Sequence, residues 1–217
     1  MKYNLPRAYL SYSQLRLWLD NKNTYRDRYY LNKPPFTSIF TIFGQTFAKR
    51  LENNDPTLSH IPKYSKPEYD IKCVIDGVPI RGFIDSYDPE KKAFLEYKTS
   101  ITDMWNEESV KKHLQLDFYS FIIKELYGSV QEECSLIWIG TQWKNNFVYY
   151  KGHKLEGARE LELTGKTQEF KRIITDEERG KIKELIIQVA TEISDDYTAF
   201  KEGVDKSFDM TVGYANM

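Results

Sequence analysis

The sequence predicts an α/β fold, a central mixed β-sheet flanked by helices. Three observations carry that expectation. Helical patterns precede three strand-like runs within residues 69–100. A long helical stretch separates those runs from an apolar strand at 134–143. A further long helical pattern lies near the end of the chain. A strand that returns through a helix pairs parallel to the strand it left, whereas hairpins pair antiparallel. A chain with both connections builds a mixed sheet with helices packed on it.

The first helix begins in LSYSQLRLWLD. Ser11 is placed to cap it, with Gln14 at the capping-box position, and Leu15, Trp18 and Leu19 share a face. NKN breaks the pattern, TYRDRYYL resumes it, and Pro34-Pro35 ends it. IFTIFGQTFAKRLE, residues 39–52, is another helix, with Phe40, Phe43, Phe47 and Leu51 at 3,4,4 spacing. Residues 53–67 carry the Asn, Pro and Ser of a loop. YDIKCVIDGVPIRGFIDSYD is a β-hairpin turned at Asp76-Gly77. DPEKK turns the chain again into a third strand, KAFLEYKTS. NEESVKKHLQLDFYSFIIKELYG is expected as one helix, about 106–127, ended by Gly128, with an apolar stripe at Leu114, Phe118, Phe121, Ile122 and Leu126. CSLIWIGTQW is a strand. NNFVYYKGHKL, ARELELT and QEFKRII are expected as strands or hairpin arms. In TDEERGKIKELIIQVATEISDDYTAF, Thr175 and Glu178 form a capping box, and Ile182, Leu185, Ile186, Val189 and Ile193 form the buried stripe.

The 217 residues are expected as a single domain: N-terminal helices over 1–52, a core over 69–142, and a β-hairpin region with the C-terminal helix over 143–217. A composition 41% hydrophobic and 29% charged, without low-complexity tracts, is that of a globular protein. No apolar run approaches the roughly 18 residues of a membrane span. MKYNLPRAYLSYSQ lacks the apolar centre of a signal peptide, so a cytoplasmic protein without membrane association is expected. Cys73 and Cys134 lie in strand-like stretches and are expected as reduced core thiols. His60, His113 and His153 show no metal-ligand spacing, so no thiol or histidine metal motif is present. The net charge of −1 conceals an asymmetry: residues 1–50 carry nine lysines and arginines against two aspartates. That basic stretch, Arg16 and Arg26 included, is interleaved with Tyr9, Tyr12, Trp18, Tyr25, Tyr29 and Tyr30. Cations among aromatics suit a polyanion whose bases stack. The alternative is an amphipathic segment whose long cationic side chains ride over apolar surface.

The chemistry-bearing constellation lies in GFIDSYDPEKKAFLEYKTS. Side chains alternate along a strand, so Glu96 and Lys98 share one face and Tyr97 takes the other. The DPEKK turn makes the flanking strands antiparallel neighbours and brings Asp85 across from or diagonal to Glu96. Two carboxylates, a main-chain carbonyl and waters suit a hard divalent cation, above all Mg²⁺, and a lysine beside it can orient a water. The alternative is a cross-strand ion-pair network. On the next helix Gln115 and Tyr119 are four residues apart and share a face.

With these residues in place, GFID, EYKT ten residues on and QLDFY resemble the PD-(D/E)XK nuclease superfamily, in particular its RecB-like branch. YSQLRLWLDNKNTYRDRYYL is similar to the opening segment of that branch. FGQTFAKRLE is similar to its G-x₄-H-x₃-E helix at Gly44, Leu51 and Glu52, with Ala48 where the branch often has a histidine. The resemblance spans about residues 11–140. It implies a restriction-endonuclease-like core and Mg²⁺-dependent hydrolysis of DNA phosphodiesters, with Mn²⁺ able to substitute. An exonuclease of DNA repair, recombination or phage DNA processing is expected, with a recombination protein as partner. Asp85, Glu96 and the Tyr97 carbonyl would hold the metal, Lys98 would place the water, and Gln115 and Tyr119 would touch the DNA backbone or brace the site. Glu52 is the nearest replacement for the missing histidine; the alternative is a solvated helix glutamate. Iron–sulfur members carry four cysteines that this chain lacks, so no iron–sulfur cluster is expected. The alternative function is a catalytically weak DNA-end-binding or protein-interaction module on the same fold.

Overall fold

A computed structural model of the chain describes residues 2–102, 105–144, 149–150, 153–154 and 160–213, with the backbone alone at 149–150, 153–154 and 205–213. Its helices are α1 (Tyr12–Asp20), α2 (Lys22–Tyr29), α3 (Ile39–Glu52), α4 (Glu107–Lys111), α5 (Leu114–Tyr127) and α6 (Asp176–Gly213). Its strands are β1 (Lys66–Ile75), β2 (Val78–Asp88), β3 (Ala93–Ser100), β4 (Glu133–Trp143), β5 (Tyr149–Tyr150), β6 (His153–Lys154) and β7 (Leu161–Ile173). Five strands form one sheet in the order β1-β2-β3-β4-β7, and β5 and β6 form a separate antiparallel pair. The large sheet is mixed. β2 meets β3 antiparallel, β3 meets β4 parallel across the helical crossover, and β4 meets β7 antiparallel. The α/β fold expected from the sequence is the fold observed.

Local chemistry sets several boundaries where the sequence places them. The Ser11 side chain caps α1 and the Ser38 side chain caps α3 through the Thr41 N–H. Asp76 and Gly77 both have positive φ, 47° and 90°, as a two-residue hairpin turn of the primed type requires. Gly128, at φ 68°, ends α5 in the left-handed conformation. The Thr175–Glu178 capping box opens α6.

Four expectations fail. The helix expected over 106–127 is two helices, because Lys112 and His113 leave the helical conformation. At that joint the Val110 and His113 carbonyls, which also accept the N–H groups of His113 and Leu116, accept from the Arg172 guanidinium at 3.3 Å each. Nor is α5 apolar along one stripe. All of Leu116–Ile123 is buried, and Leu126 is 38% exposed. Its buried polar residues have partners on the chain that follows: Asp117 pairs with Arg172, and Ser120 accepts from Arg179. Finally, the strands expected within 158–173 are one strand, β7. Its ladder with β4 shifts register between Ile139 and Thr141, opposite Gly165 at φ 77°, so the glycine is absorbed as an irregularity rather than a turn. Residues 145–148, 151–152 and 155–159 of the expected hairpin arms lie outside the described residues. β1 also starts earlier than expected, at Lys66.

The chain packs as two compact units. One comprises Met1–Pro35, Ile71–Gly82 and Gly180–Met217; the other comprises Phe36–Asp70 and Phe83–Arg179. In the first, Leu10 adds a parallel bridge to Ile80. Trp18 donates to Glu192, and the rings of Trp18, Tyr25 and Tyr30 are buried with Tyr197 and Phe200 at their edge. In the second, Phe47, Leu51, Leu58 and Ile61 pack against Leu95, Ile137 and Ile139 of the sheet, and α5 covers further apolar surface. Among the described residues no helix is long and apolar enough to cross a membrane.

Candidate active site

The site lies in the second unit, where β2 and β3 part. Their paired positions run Asp88↔Ala93, Tyr87↔Phe94 and Ser86↔Leu95. Continuing that register by one step sets Asp85 opposite Glu96. There a side chain replaces the ladder: Asp85 Oδ2 accepts the Tyr97 N–H at 2.8 Å.

Alternation then sorts β3 onto two faces. Leu95 and Tyr97 join the α3 side, where Tyr97 meets Phe47 edge-on and its hydroxyl donates to the Pro62 carbonyl at 2.7 Å. Phe94, Glu96 and Lys98 take the α5 side. The Phe94 ring meets Tyr119 edge-on, and Lys98 Nζ donates to Glu96 Oε1 at 2.7 Å and to Gln115 Oε1 at 3.0 Å. Tyr119, 4% exposed, donates its hydroxyl to the Phe83 carbonyl at 2.7 Å. Gln115 therefore reaches the constellation through Lys98. Tyr119 ties α5 to β2 two residues from Asp85, a geometry that braces.

A cleft of about 360 Å³ opens beside Asp85. Ala48, Leu51 and Glu52 of α3 line it, with Lys63, Tyr64, Glu68, Ser86 and Tyr97. Glu52 is exposed at the end of α3, and Ala48 presents only a methyl group. Glu68 is the residue that sequence reasoning missed. It falls at the junction of an expected loop and strand, and its left-handed backbone, φ 44°, is a conformation its residue type does not announce.

The electrostatics are those of carboxylates crowded out of water. Glu96, 2% exposed, has its carboxyl pushed up to about 8, by burial first and by Asp85 next, against the pull of Lys98. Burial also raises Asp85, against the Tyr97 N–H and Lys98. Glu68 is raised by desolvation in the cleft, then by Asp85 and Glu52. One oxygen of Glu96, Oε2, is buried with no hydrogen-bond partner. Among the described residues no three Asp, Glu, His or Cys side chains form a metal cage by themselves.

Arg16 and Arg26 belong to the first unit. Arg16 pairs with Asp20 at 2.8 Å. Arg26 grips Asp196 through both Nε (2.9 Å) and Nη2 (2.6 Å), and Tyr30 donates to the same carboxylate. The Trp18 and Tyr25 rings are 2% and 0% exposed, so they are core rather than free stacking faces. The amphipathic alternative describes these rings.

No protein-family model and no curated protein sequence matches the chain. Among solved structures, the fold is similar to a provisionally assigned exonuclease of Eubacterium rectale: TM-score 0.50, 13% identity, 85% of this chain and 82% of that one. It is equally similar to a phage-related exonuclease of Haemophilus somnus 129PT: TM-score 0.50, 12% identity, 87% of this chain and 82% of that one. The chain shares the fold of these proteins. At such identities the likeness reaches the fold alone.

Proposed function

We propose that the protein is a divalent-metal-dependent DNA nuclease of the PD-(D/E)XK type, RecB-like branch, acting as an exonuclease in recombination, repair or phage DNA processing. The observation that carries the reading is the buried, unpartnered Oε2 of Glu96 beside Asp85, with Lys98 bonded to the other Glu96 oxygen. A desolvated acid next to a second acid is costly unless a cation joins them. The donor set is all oxygen, which suits Mg²⁺ and admits Mn²⁺. Asp85, Glu96 and the Tyr97 carbonyl would hold the ion, with water and the exposed Glu52 as further donors. Once bound, such an ion neutralises charge on the scissile phosphate and makes water a better nucleophile.

The chain's own groups do the rest. Lys98, held between Glu96 and Gln115, presents its ammonium to the attacking water and fixes its direction. Gln115 fixes Lys98, and Tyr119 fixes the strand that carries Asp85. The descriptions of the two structural neighbours support an exonuclease. Ala48 favours a second reading, since it leaves the cleft without the branch's histidine: a catalytically weak module that binds DNA ends or a protein partner. Incubation with linear, circular and single-stranded DNA in Mg²⁺, Mn²⁺ or EDTA separates the two. Metal-dependent loss of linear DNA with circular DNA spared supports the exonuclease. Binding without cleavage in either metal supports the module.

A further inference from the structure

We infer that Arg172 is a positioning residue for Lys98, acting through the joint between α4 and α5; the inference rests on the nuclease reading only for its kinetic readout. Arg172 sits on β7 and is 5% exposed. Its guanidinium joins three separate pieces of chain. One terminal nitrogen donates to the Val110 and His113 carbonyls, at 3.3 Å each. The other pairs with Asp117 at 2.6 Å and Glu178 at 3.2 Å. A lysine carries one point of charge and no planar fork, so it cannot make these contacts together.

The geometry links this clamp to the site. His113 is the N-cap of α5 but makes no side-chain cap, so the start of the helix is fixed from outside. Asp117, in the first turn, is the acid that a helix N-terminus favours, and Arg172 anchors it. At 100° per residue Asp117 lies about 200° around the helix from Gln115. The helix is therefore held on opposite faces, by Arg172 through Asp117 on one and by Lys98 through Gln115 on the other. Tyr119, one turn beyond Gln115, adds the Phe83 carbonyl on the Lys98 side. A small rotation or slide of α5 moves Gln115 Oε1 away from the 3.0 Å contact that directs Lys98 Nζ. Among the described residues Arg172 bonds to none of the groups that would meet DNA, so it acts on Lys98 indirectly, with α5 as the route that its side chain holds.

The test compares Arg172→Lys with Arg179→Lys. Arg179, on α6, is a second buried arginine that reaches α5, bonded to Ser120 and Asp176 but, among the described residues, not to the α4–α5 joint. Four quantities are read on the full chain: melting temperature, kcat and KM on linear DNA with Mg²⁺, and the side-chain ¹⁵N resonance of Lys98, assigned with Lys98→Arg. Both variants should lose stability. Only Arg172→Lys should move the Lys98 resonance and lower kcat, by about 10- to 100-fold for a misplacement of this size, with KM little changed. If Arg172→Lys fails to fold, Asp117→Asn carries the same expectation, because it removes the anchor on α5 and keeps its shape. The inference is overturned if the Lys98 resonance stays in place in the folded variant, or if Arg179→Lys moves it and slows cleavage equally. If the wild type does not cut DNA but the resonance moves in Arg172→Lys alone, the positioning role stands and the nuclease reading fails.

Discussion

Tyr119→Phe removes one hydroxyl. The ring stays and keeps its edge-on contact with Phe94; only the hydroxyl that meets the Phe83 carbonyl at 2.7 Å is lost. The bond is partly buried, so water only partly makes good its loss. A neutral hydrogen bond contributes about 1 kcal/mol net, and an acceptor left partly unmade brings the total to about 1.5 kcal/mol. For a domain of this size each kcal/mol corresponds to about 2–4 °C in melting temperature, so a fall of about 3–6 °C is expected. The lost bond tethers β2 two residues from Asp85, so cleavage should fall as well, by about tenfold if Asp85 is displaced by a fraction of an ångström. Thermal unfolding and initial cleavage rates on linear DNA in Mg²⁺ read both effects. A melting temperature within 1 °C of wild type would refute the tether. An unchanged rate in a variant that melts about 3–6 °C lower would confine Tyr119 to a packing role.

Two further expectations concern charge. Lys98→Ala should lower cleavage by about a hundredfold or more while DNA binding in a gel-shift titration stays near wild type, because bulk affinity comes from many phosphate contacts rather than one lysine; a variant that still cuts at near the wild-type rate removes the assigned role. The second concerns acid. Glu192, which accepts from Lys22, Gln188 and Trp18, has its carboxyl held down to about 2 by those bonds, Lys22 first; Asp196 is lowered by Arg26 and then Tyr30. Folded values below unfolded ones mean that this stability is present above the ordinary carboxylate range and lost as pH falls towards 2. Both carboxylates are partly exposed, so solvent screening holds the joint effect to about 1 kcal/mol, read as a shallower fall in melting temperature between about pH 5 and pH 3 for Glu192→Gln than for wild type; parallel curves contradict it.

The geometry at the centre of the candidate site was legible because short-range rules fix it. A strand period of two sets Glu96 and Lys98 on one face, and the DPEKK turn sets the register that brings Asp85 opposite. The bounds of α3 and the caps at Ser11, Thr175 and Gly128 follow from side chains within one helical turn. What was not legible depends on partners distant in sequence. Nothing near Lys112 and His113 marks a break; Arg172, about sixty residues on, stabilises it. Asp117 and Ser120 look like the polar face of an amphipathic helix until Arg172 and Arg179 reach them. Trp18 and Tyr30 suit base stacking equally well until side chains of α6 meet them. Glu68 enters the cleft through a backbone conformation that no local pattern encodes.

Cleavage by wild type and by Glu96→Gln, side by side on linear DNA, tests the proposed metal-dependent site most directly. Glutamine keeps the shape of the side chain and an oxygen for Lys98 but removes the charge that would meet the cation. Wild type should degrade the DNA in Mg²⁺ and stop in EDTA. Glu96→Gln should remain folded by circular dichroism and leave the DNA intact in Mg²⁺ and in Mn²⁺. Cleavage by Glu96→Gln at the wild-type rate, or wild-type cleavage that persists in EDTA, would contradict a metal-dependent site at Asp85, Glu96 and Lys98.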